Sequence, residues 1–243
     1  MKNLLMILAI VLAAVPAFAQ VRDVKGHWCA LGTSITWYNE NVNASNGGFT
    51  KGYQTRVMEK LAFTKYTNNA VNGGALKTVL QQNKVIAADY YTIEHGINDW
   101  GQSIPVGTMD DYINNTGNGT FAAEYRKLID AIYKANPKAK IVICTPRRGF
   151  GFSGYLPDHC YDPKNGIYLS EYAEMARKIA EYESIPVADF YKYCGGQRTL
   201  LDESLNDARA SSGYTNDAVH PNDIGYQRMA NVLIDALENV IVD

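Results

Sequence analysis

Residues 27–36 read His-Trp-Cys-Ala-Leu-Gly-Thr-Ser-Ile-Thr, and this stretch decides how the rest of the chain is understood. The apolar run over 27–32 has the form of a buried strand, and Gly32 followed by Thr33, Ser34 and Thr36 marks a turn at its end. A strand that stops on a glycine and a hydroxyl cluster sets a question for each later strand: what does its own end deliver?

Working outward, short apolar runs alternate with amphipathic stretches. Further strands are expected at 63–70, 90–95 (YYTIEH), 140–145 (KIVICT) and 186–191. Helices are expected at 52–61, 121–135, 169–182 and 221–240. The helix over 121–135 places Phe121, Tyr125, Leu128, Ile129 and Ile132 on one face, and Asn136-Pro137 stops it. The next helix turns Leu169, Tyr172, Ala173, Ala176 and Ile179 inward. Pro221 is placed in the first turn of the last helix, whose inner face carries Met229, Leu233, Leu237 and Val240. Strands alternating with helices imply βαβ units, a parallel sheet and helices on both of its faces. In such sheets ligands bind beyond the carboxyl ends of the strands. The Asn- and Gly-rich stretches 39–48 and 114–119 read as surface loops.

The chain has 243 residues, 47% hydrophobic and 20% charged, with a formal net charge of −2. That balance fits one globular α/β domain and offers no basic face for nucleic acid. Lys2, the apolar run 4–15 and Ala17-Phe18-Ala19 have the order of a secretory signal peptide, so residues 1–19 are read as a leader and 20–243 as a single secreted or periplasmic domain. The run is too short for a membrane span, which takes about 20 apolar residues. Export permits disulfides. Cys29 and Cys144 fall in buried strands, whereas Cys160 and Cys194 fall in loops and are candidates for one bridge. No C-x-x-C motif is present, and the His and Cys spacing gives no metal site.

The strand ends carry the chemistry. Gly32-Thr33-Ser34 follows the first strand, and Asn68 to Gly74 (NNAVNGG) closes the second. Gly96-Ile97-Asn98-Asp99 follows the third, and Asp217-Ala218-Val219-His220-Pro221 precedes the last helix. A serine hydroxyl becomes a nucleophile when a neighbouring base takes its proton. His220 is the candidate base and Asp217, three residues earlier, the group that orients it. Attack on an ester carbonyl develops an oxyanion, for which the N–H groups of Ser34 and Gly73 and the Asn98 carboxamide are the candidate donors. Gly74 is the alternative to Gly73.

These four blocks, in this order, resemble the SGNH hydrolases, also called GDSL-type esterases, whose four named residues match Ser34, Gly73, Asn98 and His220. HPNDIGYQRMA, residues 220–230, is an especially close match to the family's last block. The resemblance implies a flavodoxin-like three-layer α/β/α sandwich with a five-stranded parallel sheet, and hydrolysis of acyl esters without metal or organic cofactor. Thr33 departs from the family, which usually has Asp there, and this implies altered local hydrogen bonding beside Ser34.

Other features are weighed against plainer roles. Trp37 and Trp100 lie within three residues of Ser34 and Asn98, where aromatic rings suit a sugar or an acyl chain but also brace loops. Arg147 is a candidate contact for an anionic substrate group, against the alternative of a solvated arginine. His95 and His27 read as structural histidines, and His159 as part of a solvated polar loop. Gly149 to Gly154 fits G-x-G-x-x-G, but Pro157 leaves no helix to open there, so a nucleotide site is set aside. The expected substrate is a small-molecule or glycan ester carrying a small acyl group, with acetyl on a carbohydrate the leading case. Lysophospholipid or thioester substrates, a non-catalytic glycan-binding module and a flavin carrier on the same fold are the rivals.

Overall fold

Alternation along three short strands builds the interior. In the computed structural model, which describes residues 21–39, 42–43, 48–49, 51–148, 165–194 and 219–241, Cys29, Leu31, Tyr91, Ile93, Ile141 and Ile143 enter one apolar cluster. Their sequence neighbours Trp28, Ala30, Tyr90, Val142 and Cys144 enter a second one. A sheet with both faces buried in this way requires helices on both sides. The elements run β1 (Arg22–Gly32), α1 (Ser34–Trp37), β2 (Val42–Asn43), β3 (Gly48–Phe49), α2 (Tyr53–Met58), β4 (Leu61–Asn68), α3 (Leu76–Gln81), β5 (Tyr90–Glu94), α4 (Ile97–Gly101), α5 (Met109–Asn114), α6 (Phe121–Ala135), β6 (Lys140–Cys144), α7 (Leu169–Glu183), β7 (Val187–Ala188), α8 (Phe190–Tyr193) and α9 (Asp223–Glu238).

The main sheet has five strands in the order β4-β1-β5-β6-β7, and every pairing in it is parallel. Numbered among themselves these strands run 2-1-3-4-5, the flavodoxin-like order, with its topological switch point between β1 and β5. Helices α3, α6 and α7 pack on the first cluster; α2, α8 and α9 pack on the second. The three-layer sandwich implied by the family resemblance is therefore the observed fold.

Several boundaries differ from the sequence reading for local reasons. The first strand begins earlier, at Arg22, and absorbs a register shift between Val24 and His27. The strand expected over 186–191 keeps only Val187 and Ala188. Asp189 ends it, because its carboxylate accepts from Lys192 N at 3.1 Å and caps α8. Arg177 holds the same carboxylate through Nε and Nη2, at 2.9 and 3.0 Å. Pro221 lies ahead of the last helix rather than in its first turn; Asn222 is the cap, accepting from Gly225 N at 2.9 Å. Asn39 is buried instead of lying on a surface loop, and its Oδ1 takes Thr55 N and Oγ1 at 3.2 and 2.9 Å. Helices α3, α4 and α5, of five or six residues each, are too short to leave a periodic signal.

Cys194 is a buried free thiol, as are Cys29 and Cys144. Its candidate partner Cys160 lies outside the described residues, as do residues 1–19, His159, 149–154 and Asp217. Among the described residues no helix is long and apolar enough to cross a membrane.

The inner face of α6 seals one side of the sheet, with Leu128 fully buried among β-strand and α7 side chains. Leu128→Ala should lower unfolding stability by about 2–5 kcal/mol, the usual cost of a buried leucine truncation, read from urea denaturation midpoints at unchanged slope.

Candidate active site

The site forms where β1 and β5 end side by side. Their parallel register sets Gly32 against Glu94, so the segments that leave both strands emerge into the same crevice. From β1 the chain turns at once into α1. Thr33 caps that helix, its hydroxyl accepting from Ile35 N at 3.3 Å. This places Ser34 as the first helical residue, with a backbone N–H that has no intrahelical partner. The turn is tight enough that a Cβ at Gly32 would lie 2.2 Å from Thr36 Oγ1; only glycine fits.

Ser34 Oγ lies 2.9 Å from His220 Nε2, across 186 residues of sequence. His220 reaches it because α9 is fastened to the Ser34 helix. Tyr226, one turn into α9, donates its hydroxyl to Ile35 O at 3.0 Å, and Arg56 on α2 binds Asp223 and, at 2.8 Å, Gln227. The Tyr38 ring meets the His220 ring edge to face, with centroids 4.8 Å apart. Arg147 is buried, and its Nη1 donates to Val219 O at 3.1 Å, so its guanidinium holds the backbone next to His220.

Two other strand ends supply groups to the same crevice. After β4, Asn68 ties the loop to α1, donating to Thr36 O at 3.0 Å and accepting from Ala70 N at 3.2 Å. Val71 N then bonds Gly32 O at 2.9 Å. This delivers Gly73, exposed and at φ +70°, and Gly74. The Gly74 N–H is spent on Val71 O at 3.0 Å. After β5, Asn98 opens α4 and donates one amide hydrogen to Gly74 O at 3.0 Å; the amide carries a second. Ser34 thus meets His220 at the end of β1, and Asn98 is tied to the Gly73-Gly74 turn that follows β4.

Asp99 clamps the last two segments together. Its Oδ1 accepts from Leu76 N at 3.0 Å and its Oδ2 from Gly96 N at 3.2 Å. Burial pushes its pKa up to about 7, against the opposing pull of those amides. Glu94 is likewise buried and pushed up to about 7. Desolvation is the main cause, the hydrogen bonds from Thr33 and Thr36 oppose it, and Asp99 adds to it. The sequence reading gave no role to either acid or to Tyr38. The charged residue inside the apolar run YYTIEH was the available signal for Glu94.

The remaining candidates are placed as follows. Trp37 is half-buried and packs edge to face on Tyr38 at 5.3 Å. Trp100 lies in the core beside α6 and α7, its indole N–H donating to Ile167 O at 3.0 Å, so it braces a loop. His27 is structural, bonded to Thr67 Oγ1 at 2.8 Å. His95 is buried, but neither ring nitrogen has a partner among the described residues, and burial lowers its pKa to about 3, keeping it neutral. Among the described residues no group of three or more His, Cys, Asp or Glu could hold a metal.

Residues 30–228 match the model of the GDSL-like lipase/acylhydrolase family. The chain belongs to this family. Solved structures agree with the assignment. A protein described as a possible lipase from Chitinophaga pinensis DSM 2588 is 29% identical, with a TM-score of 0.74 over 88% of this chain and 98% of its own. An acetyl xylan esterase (19% identity, TM-score 0.55, 89% and 100% coverage) and the lipase/acylhydrolase from Enterococcus faecalis (16%, 0.54, 89% and 97%) share the fold. No curated protein matches the chain.

The two raised acids make this GDSL-like protein lose stability as pH rises from acid to neutral. Well below their ordinary values of 3.8 and 4.5, both acids are protonated whether the chain is folded or not. As pH rises towards about 7 the unfolded chain ionises while the folded one holds its protons, so stability falls through that window and levels off above it. Asp99→Asn should flatten this fall between pH 4 and 8, measured as urea midpoints against pH, even though the loss of one acceptor lowers stability at every pH.

Proposed function

We propose that the protein is an exported serine ester hydrolase that removes a small acyl group through an acyl-enzyme. The observation that carries the reading is the 2.9 Å contact between Ser34 Oγ and His220 Nε2 at the switch point of the sheet. In this reading Ser34 attacks the ester carbonyl carbon and its proton passes to His220 Nε2. The C–O bond to the alcohol then breaks, and the alcohol leaves with that proton. Water, deprotonated by the same imidazole, attacks the acyl-serine; the acid is released and Ser34 recovers its hydrogen. Asp217 is the residue assigned to orient His220 and stabilise the imidazolium.

Ser34 N–H, Gly73 N–H and the second Asn98 amide hydrogen form the proposed oxyanion hole. Gly73 is favoured over Gly74 because the Gly74 N–H is engaged in a turn to Val71 O, whereas no acceptor among the described residues takes that of Gly73. One such donor is worth about 2.7–4 kcal/mol of barrier. For the substrate, the half-buried ring of Trp37, three residues from Ser34, fits stacking on a sugar, and we assign a small acyl group, acetyl first, on a carbohydrate. Arg147 has a different assignment from the one its sequence position invites: its Nη1 is directed to Val219 O, and it supports the His220 segment.

Purified protein should hydrolyse p-nitrophenyl acetate, and Ser34→Ala should lower kcat by about 10⁴-fold or more, the scale of losing a triad serine. Equal rates for the two proteins would refute the nucleophile assignment. The secreted form should begin at Gln20 by N-terminal sequencing; retention of residues 1–19 would refute the leader.

A further inference from the structure

Glu94 has no task in the chemistry just described, yet it sits directly beneath the turn that carries Ser34. Along β5, Tyr90, Thr92 and Glu94 alternate onto the face covered by α2 and α9. There Trp28 Nε1–H donates to Thr92 Oγ1 at 3.1 Å. Two residues on, Glu94 stands beside Gly32, and its carboxyl reaches under α1. A single oxygen, Oε2, accepts from Thr33 N at 3.2 Å, from Thr33 Oγ1 at 2.7 Å and from Thr36 Oγ1 at 3.1 Å. The hydrogen of Thr36 Oγ1 is committed to Glu94, so the buried Tyr53 hydroxyl, 2.7 Å away, is the donor to Thr36. The donors therefore grip the chain immediately before Ser34 and two residues after it.

The division of labour within α1 is uneven. Its C-terminal carbonyls are held without Glu94. Thr36 O takes Gln54 Nε2 at 2.7 Å and Asn68 Nδ2 at 3.0 Å, and Ile35 O takes the Tyr226 hydroxyl at 3.0 Å. At the N-terminal end, the Thr33 N–H and hydroxyl are both given to Glu94. No cation pairs with Glu94 among the described residues; the ionisable groups that face it are Asp99, Tyr53, Cys144 and Tyr125. Its other oxygen, Oε1, is buried and has no hydrogen-bond partner among the described residues. Burying an acid under such conditions is costly, and an apolar side chain of the same size would fill the space without that cost. What the apolar side chain lacks is an acceptor for three donors that flank one serine.

We infer that Glu94 is a positioning residue for Ser34: through Thr33 and Thr36 it fixes the pitch of the turn so that Ser34 Oγ stays within hydrogen-bond reach of His220 Nε2. The inference rests on the ester-hydrolase reading of the site.

The test compares wild type, Glu94→Leu, Glu94→Gln and Thr36→Val with Leu237→Ala. Leu237 is a fully buried α9 core residue, so its truncation lowers stability without touching the turn. Two quantities are read for each: kcat and KM on p-nitrophenyl acetate, and the rate at which diethyl p-nitrophenyl phosphate blocks Ser34. Glu94→Leu should lose about 100-fold in kcat, the scale of a 1 Å misplacement, with KM nearly unchanged and phosphorylation slowed in parallel. Glu94→Gln, which keeps an acceptor oxygen, should recover at least about tenfold of that loss. Thr36→Val, which removes one donor, should fall between wild type and Glu94→Leu and remains decisive if Glu94→Leu does not fold. Glu94 and Thr36 variants that match Leu237→Ala in both readouts would overturn the positioning role alone. Wild-type protein that neither turns over the ester nor reacts with the phosphate would overturn the ester-hydrolase reading and the role of Glu94 together.

Discussion

The parallel pairing of β1 with β5 places Gly32 beside Glu94, and the site depends on that register. Two strands that stop at the same height send their outgoing turns into one crevice, and β4 adds a third turn from the other side of β1. Slipping β5 by one residue would turn Glu94 to the opposite face and take its carboxylate away from the donors of Thr33 and Thr36. Register is secured by burial on both faces: Leu31 and Ile93 fill one cluster while Ala30 and Tyr90 fill the other. The apolar core therefore determines which side chains meet at the rim, and the rim's hydrogen bonds refine an arrangement the core has already made.

The polar groups at the rim are arranged as clamps between segments. Asp99 joins the start of α3 to the turn after β5. Asn68 joins the end of β4 to α1, and Tyr226 joins α9 to α1. The bonds from Leu76 to Asp99 and from Tyr226 to Ile35 cross 23 and 191 residues and are buried, where a hydrogen bond is electrostatically stronger and an unmade one more costly. Groups held in this way lose little freedom when a substrate arrives, which is the condition for donors to be aimed at a charge before it forms. The two buried acids lower the stability of the fold at neutral pH, and this cost falls at the segments flanking Ser34 and Asn98.

Most of the architecture was legible in the sequence because long elements announce themselves. Helix α6 carries an apolar stripe of four turns closed by Asn136-Pro137, and its bounds match those expected. The strand ends were legible because glycine and hydroxyl residues follow apolar runs. What was missed has physical reasons. Helices α3, α4 and α5 span fewer than two turns and leave little period to detect, and α2, expected over 52–61, is likewise only six residues long. The early end of β7 follows from the Asp189 carboxylate, whose partners Arg177 and Thr145 lie 12 and 44 residues away. Glu94 was visible as an acid in an apolar run, but its three donors are on another strand's turn, 58 to 61 residues away. Trp100 lies near Asn98 in sequence, and only its burial in the first cluster and its indole bond to Ile167 O show that its ring turns into the core.

Ser34 and His220 acting as one unit is the central claim, and a double-mutant cycle tests it most directly. The account predicts that Ser34→Ala, His220→Ala and the combined variant lose kcat on p-nitrophenyl acetate to a similar extent, because removing either partner already abolishes the function of both. Losses that multiply in the combined variant would mean that the two residues act independently, and would contradict it.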